Sequence, residues 1–311
     1  MDIHKDYTSQ TIKLKPDYEG EVIATLINSK RNVGNRKSVL YLHGYIDYFF
    51  QSHLGAQFIA NGFDFYALDL RKYGRSLLAH QHPNYCKDIA EYFEEITFAI
   101  RQIHEISNGD LFLLGHSTGG LIASNYMNDG QEKELIKGLI LNSPFLDFNQ
   151  THFQKTLVYL ASKPMAALFP YSKVNGVLAQ AYAKSLHKDF YGEWDFNLDW
   201  KPIKGFPTYF AWVLAIRAGH KKLASSNIKV PVLVMHSSGA SKISIFSEEA
   251  MRKDIVLDIN DIKSVGAKLG KQVTLLKIEN AQHDIFLSPK IVREKAFKQM
   301  FSWLNNLKSG K

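Results

Sequence analysis

The 311-residue sequence predicts an α/β protein built on a mostly parallel sheet. Three observations lead there. Short apolar runs recur along the chain, several of them apolar at nearly every position, as strands covered on both faces by helices are. Longer amphipathic stretches separate these runs. Finally, one apolar run passes through closely spaced glycines directly into a small-residue, helix-like segment at 111–125.

The elements follow in order. Residues 11–27 contain no helical pattern and predict an antiparallel hairpin at the sheet edge, its second strand at 21–27. Further strands are expected at 38–42, 63–69, 111–114, 138–141, 232–235 and 273–278. A helix over 88–106 is marked by Ile89, Tyr92, Phe93, Ile96, Ile100 and Ile103 at helical spacing. Val292, Ala296, Met300, Trp303 and Leu307 mark another over 290–307. Between 146 and 206 no strand is evident, and aromatic residues accumulate, punctuated by Pro164, Pro170 and Pro202. About 60 residues are too many for a bare connection. The expectation is a helical cap inserted at 146–206 into a core formed by 1–145 and 207–311.

Composition limits the function classes. The chain is 45% hydrophobic and 22% charged, which excludes a disordered or collagen-like protein. Its formal charge of +8 is spread thinly, and basic residues do not interleave with aromatics as in a nucleic-acid binder, so none is expected as a partner. Cys86 has no second cysteine to pair with, in keeping with a reducing compartment. The charged N-terminal stretch lacks the apolar core of a signal peptide, and no apolar run reaches the roughly 20 residues of a spanning helix. A cytoplasmic protein is expected.

The chemistry concentrates at Gly115-His116-Ser117-Thr118-Gly119. A serine on a tight turn between strand and helix has its hydroxyl exposed above the sheet, and the helix start aims free N–H groups at the same point. Ser117 is the candidate nucleophile. A base should follow a late strand, and His283, after 273–278, fits. The orienting acid should follow 232–235, yet 237–247 holds no carboxylate. Asp254 is preferred and Asp258 stands as the alternative, with a helix N-cap as its other reading. The turn at His43-Gly44-Tyr45 supplies the N–H of Tyr45 as an oxyanion donor opposite that of Thr118. His43, Gly44, Tyr48 and His116 are candidates for the substrate pocket. No cysteine–histidine spacing suggests zinc and no phosphate-binding loop is present, so no metal or organic cofactor is expected.

With these residues in place, the chain resembles the α/β-hydrolase superfamily, in particular its monoacylglycerol lipase and lysophospholipase-like branch, grouped with serine aminopeptidases. The resemblance runs over nearly the whole length: His43-Gly44, then Asp69-Leu-Arg71-Lys72-Tyr-Gly74-Arg-Ser76, then the serine turn, then Gln282-His283-Asp284. Lys72 stands where that branch usually has glycine. Asp254-Ile-Val-Leu-Asp258 resembles its acid motif, which favours Asp254, although the spacer from His236 is long. The resemblance implies a capped α/β-hydrolase fold and cleavage of a small-molecule acyl ester by a Ser117–His283–Asp254 triad. Thioesterase or aminopeptidase activity on the same triad, or a silent ligand-binding protein of this fold, are the alternatives. A lipase-like cap also implies transient contact with a membrane surface.

Overall fold

The computed structural model describes residues 5–307 except 35, 108, 151 and 175–179. Among these residues lie eight strands: β1 (Tyr7–Lys13), β2 (Ile23–Ser29), β3 (Lys37–Leu42), β4 (Phe63–Asp69), β5 (Leu111–His116), β6 (Ile136–Asn142), β7 (Val232–Ser237) and β8 (Val273–Ile278). They form one sheet in the order β1-β2-β4-β3-β5-β6-β7-β8. The β1–β2 and β2–β4 pairs are antiparallel and all others are parallel. The edge hairpin is therefore present, with its first strand beginning earlier than the sequence pattern suggests.

Strand alternation splits the apolar runs between two cores. Leu40, Leu42, Leu113, Leu139, Leu141, Val232 and Val234 face one side. Val39, Tyr41, Phe112, Leu114, Ile140, Leu233 and Met235 face the other. This is why the central strands read as continuous hydrophobic text: each face has its own helices to cover it. Helices α1 (Ser52–Ala60) and α8 (Lys290–Asn306) cover the second core through Leu54, Phe58, Phe297, Met300 and Phe301. Helices α2 (Phe93–Ile106) and α3 (Thr118–Asp129) cover the first. At α2 the expected single helix starts with a short 3-10 turn, Ile89–Tyr92, capped reciprocally by Asp88 and Glu91.

The chain between β6 and β7 carries α4 (His152–Leu168), α5 (Gln180–Leu186) and α6 (Phe210–Lys222). Helix α6 packs into the first core through Trp212, Val213 and Ile216. A separate small cluster joins Leu186 and Phe196 of this stretch to Tyr48, Phe50 and Leu287. A further helix, α7 (Ile259–Gly266), follows the segment after β7. Among the described residues no helix is long and apolar enough to cross a membrane.

Candidate active site

The central turn comes from β5 and α3. Ser117 sits between them with φ 51° and ψ −117°, a region that costs a non-glycine residue of order 1–3 kcal/mol. The surrounding packing enforces it. A Cβ on Gly119 would lie 2.3 Å from the carbonyl oxygen of His43 and 2.5 Å from that of Leu42, so only glycine lets α3 start against the end of β3. A serine at a helix N-cap ordinarily turns its hydroxyl onto the helix N–H groups. Here it makes no such cap bond.

The hydroxyl instead meets an imidazole. His283, on the loop after β8, places Nε2 3.0 Å from Ser117 Oγ and Nδ1 2.8 Å from Asp254 Oδ2. Asp254 is fully buried, and its Oδ1 accepts the N–H groups of Val256 and Leu257 at 2.8 Å each. With Oδ1 committed, Oδ2 remains to accept a proton-bearing Nδ1, which leaves Nε2 as an acceptor facing the serine. Asp258 accepts from Asn260 N and caps α7.

The long spacer before Asp254 has a simple geometry. Asp254 N donates to Gly239 O, Ser241 N donates to Asp254 O, and Ala240 and Asp254 form a parallel bridge. Residues 241–253 are thus an excursion closed at its base, and Asp254 stands at the end of β7. The excursion packs onto α5 through Ala250, Phe246 and Ile243.

The turn after β3 approaches the serine closely. A Cβ on Gly44 would lie 3.2 Å from Ser117 Cβ and 3.1 Å from the His116 ring. Among the described residues, no protein acceptor is recorded for the N–H of Tyr45 or of Thr118. The Tyr45 side chain is used elsewhere, its ring tilted against that of Trp212 with centroids 4.1 Å apart and its hydroxyl donating to Thr208 Oγ1.

The remaining pocket candidates are occupied in the framework. His43 donates from Nδ1 to Gly44 O and accepts Leu70 N at Nε2, tying the β3 and β4 ends together. Burial holds its pKa below the usual imidazole value. Tyr48 accepts the Asn197 N–H at 2.7 Å, and its ring packs on Trp200 and Phe50. His116 donates to Asn142 O and lies with its ring 4.9 Å from that of His283; burial lowers its pKa as well. For His43 and Tyr48 the reason is saturation: their polar atoms already have protein partners.

Three further groups at the site were not among the candidate site residues. Lys201 Nζ lies 2.7 Å from Asp47 Oδ1, joining the chain after α5 to the turn that bears Tyr45, with both side chains buried. Burial works to raise the Asp47 carboxyl, but the Lys201 ammonium and the nearby His43 and His116 rings together outweigh it, and its pKa falls below the usual carboxylate value. Tyr182 on α5 accepts Asp284 N at its hydroxyl and presents its ring edge to His283. Asp284 accepts from Asn142 and Phe286, fixing the loop that carries His283. Only Asp284 had a signal, as the neighbour of the histidine.

Residues 34–290 match the family model described as serine aminopeptidase, S33. A comparison with curated proteins returns no match. Among solved structures, a soluble variant of monoglyceride lipase from Saccharomyces cerevisiae in complex with a substrate analogue superposes with a TM-score of 0.68 at 19% identity over 96% of each chain. The monoacylglycerol lipase of Paleococcus ferrophilus gives 0.62 at 18% identity, covering 96% of this chain and 98% of that one. A highly thermostable carboxyl esterase from Bacillus coagulans gives 0.67 at 13% identity, covering 96% and 99%. At such identities the superpositions speak for the fold. The match over most of the chain decides the family: the protein belongs to the serine aminopeptidase S33 family of α/β-hydrolases.

Proposed function

We propose that the protein hydrolyses carboxylic esters of the monoacylglycerol or lysophospholipid kind through an acyl-enzyme on Ser117. One observation carries the reading: a strained serine, an imidazole and a buried carboxylate joined by hydrogen bonds of 3.0 and 2.8 Å. Ser117 Oγ attacks the ester carbonyl carbon while His283 Nε2 takes its proton. Asp254 holds the ring and stabilises the imidazolium. The N–H groups of Tyr45 and Thr118 receive the oxyanion, each worth about 3 kcal/mol to the transition state. His283 then protonates the leaving alcohol. A water, deprotonated by the same nitrogen, attacks the acyl-enzyme and releases the acid and free Ser117.

Residues 146–206 act in this reading as a cap. Ser117 is 7% exposed and His283 3%. Tyr182, Phe196 and Lys201 bring this segment down onto the site. The Saccharomyces and Paleococcus proteins are named as lipases of monoglycerides, which lends that substrate class to the proposal. The family description raises aminopeptidase activity as a second reading. A peptidase cap needs free carboxylates to hold a substrate amine; of Glu193, Asp195 and Asp199, the first is paired with Arg293 and the second with Lys188, which leaves the exposed Asp199 to serve that reading.

The test is hydrolysis of p-nitrophenyl esters of graded chain length, monoacylglycerol, lysophospholipid and an aminoacyl nitroanilide, with fluorophosphonate labelling alongside. Ester turnover and labelling that both vanish in Ser117→Ala are expected. Turnover of the anilide alone would transfer the assignment to the peptidase. Labelling unchanged by His283→Ala would remove the triad.

A further inference from the structure

The turn after β3 holds an unfavourable conformation that its own backbone does not secure. Ile46 has φ 50°, a genuine outlier for a β-branched residue, and its side chain is buried. Among the described residues, no backbone–backbone hydrogen bond involves 45–48. A strained turn of this kind persists only where its surroundings over-determine it.

The restraints come from the chain between β6 and β7. On one side of Ile46, the Tyr45 ring lies against Trp212 and its hydroxyl donates to Thr208 Oγ1 at 3.2 Å. On the other side, Asp47 Oδ1 accepts from Lys201 Nζ at 2.7 Å, and the Tyr48 hydroxyl accepts the Asn197 N–H at 2.7 Å. Of these restraints only the Asp47–Lys201 bond is ionic. Its ammonium sits 5.7 and 5.6 Å from the centroids of the Phe50 and Phe196 rings, and among the described residues Asp47 is its one carboxylate partner. Ring contacts tolerate sliding. A charge-assisted hydrogen bond in such dry surroundings fixes both distance and direction.

We propose that Lys201 is a positioning residue for the oxyanion hole, holding the strained turn so that the Tyr45 N–H faces the oxygen formed at Ser117. The inference rests on the acyl-enzyme reading and adds a dependence to it. Both oxyanion donors lie outside the segment between β6 and β7, yet one ammonium from that segment sets the geometry of the hole. Without the ammonium, Asp47 is a buried carboxylate with no counter-ion and turns toward water. Ile46, the residue between Asp47 and Tyr45, is then free to return to negative φ, and the rotation carries the Tyr45 N–H off its aim. Such a shift matters because a donor acts only within about 2.7–3.1 Å of the developing oxyanion.

The experiment is steady-state kinetics of the full chain on a soluble p-nitrophenyl ester, well below the melting temperature of every variant. Lys201→Met should lower kcat about 10- to 100-fold and leave KM within about twofold, short of the loss of about 10²–10³-fold for a donor removed outright. Its inhibition constant for a trifluoromethyl ketone, whose adduct on Ser117 carries the same oxyanion, should rise by a like factor. Asp47→Leu with Lys201→Met should regain the melting temperature without regaining kcat, because an apolar contact has no direction. Recovery of kcat together with stability in that double variant makes Lys201 a structural support only and overturns the proposal, whether or not the single variant folds. A folded Lys201→Met with kcat within about twofold of wild type overturns it as well. The two readings fail separately. Wild-type ester turnover that is absent, or that survives Ser117→Ala, refutes the acyl-enzyme and this proposal with it; Ser117-dependent turnover indifferent to position 201 refutes this proposal alone.

Discussion

Lys201→Met should destabilise the protein far more than a lysine-to-methionine change at an ordinary position. The Lys201 ammonium and the Asp47 carboxylate are 2.7 Å apart, with side-chain exposures of 8 and 3%. At an effective dielectric of about 20 their gross attraction is roughly 6 kcal/mol, set against the desolvation of both ions. Removing the cation alone strands a buried carboxylate, which typically costs about 3–5 kcal/mol. With an unfolding entropy of about 2.1 cal/mol/K per residue, that corresponds to a melting temperature lower by roughly 5–8 °C for a chain of this length. Replacing both partners, Asp47→Leu with Lys201→Met, should recover most of the loss, because the pair itself is worth little against an apolar isostere. Differential scanning calorimetry at neutral pH measures all three proteins. A single variant within about 1 °C of wild type would refute the reasoning, since the buried charge would then have found another partner. Acid should mimic the variant. The folded Asp47 pKa is depressed, so the stabilisation is complete above the ordinary carboxylate pKa and fades as pH falls through the folded value.

Two further outcomes follow from the same geometry. Asp254→Asn should reduce kcat on a soluble ester by about 10⁴-fold, because the amide no longer holds the His283 tautomer. Asp258→Ala should leave kcat unchanged and cost about 1 kcal/mol of stability as a lost helix cap; comparable kinetic losses in the two variants would contradict this division of roles. His53 and His220 are both held near pKa 4 by burial, so the unfolded chain binds more protons than the folded one between about pH 4 and 6.5. Stability should therefore fall as pH drops through that window, and His220→Gln should flatten the decline in a pH series of melting curves.

Much of this molecule is written locally. The central strands are legible because burial on both faces leaves a run of apolar residues, and the serine turn because its glycines have no substitute where α3 meets the end of β3. Helix α6 is harder to read. Its sequence, Phe210–Lys222, is apolar along much of its length and resembles a buried strand as much as a helix. Its place in the first core decides, not its periodicity. Lys201 and Tyr182 had no local signal: each acts on a partner more than a hundred residues away, and an isolated lysine or tyrosine among aromatics reads as surface or packing.

Asp254 shows where reading along the chain fails for a physical reason. Spacing measures contour length, whereas a triad needs position relative to the sheet. Residues 241–253 lengthen the contour without moving the carboxylate, because the bridge between Ala240 and Asp254 returns the chain to the end of β7 before the acid is presented. The excursion then packs on α5, where Tyr182 also touches the His283 ring and holds the next residue of its loop. The added length is thus invested in the wall beside the proposed base. Shortening 241–253 while keeping the Gly239–Asp254 pairing should preserve the Asp254–His283 bond and loosen α5. Such a variant should retain turnover of a short ester while changing its preference among longer ones; loss of all turnover would mean that the excursion, rather than the bridge at its base, positions the acid.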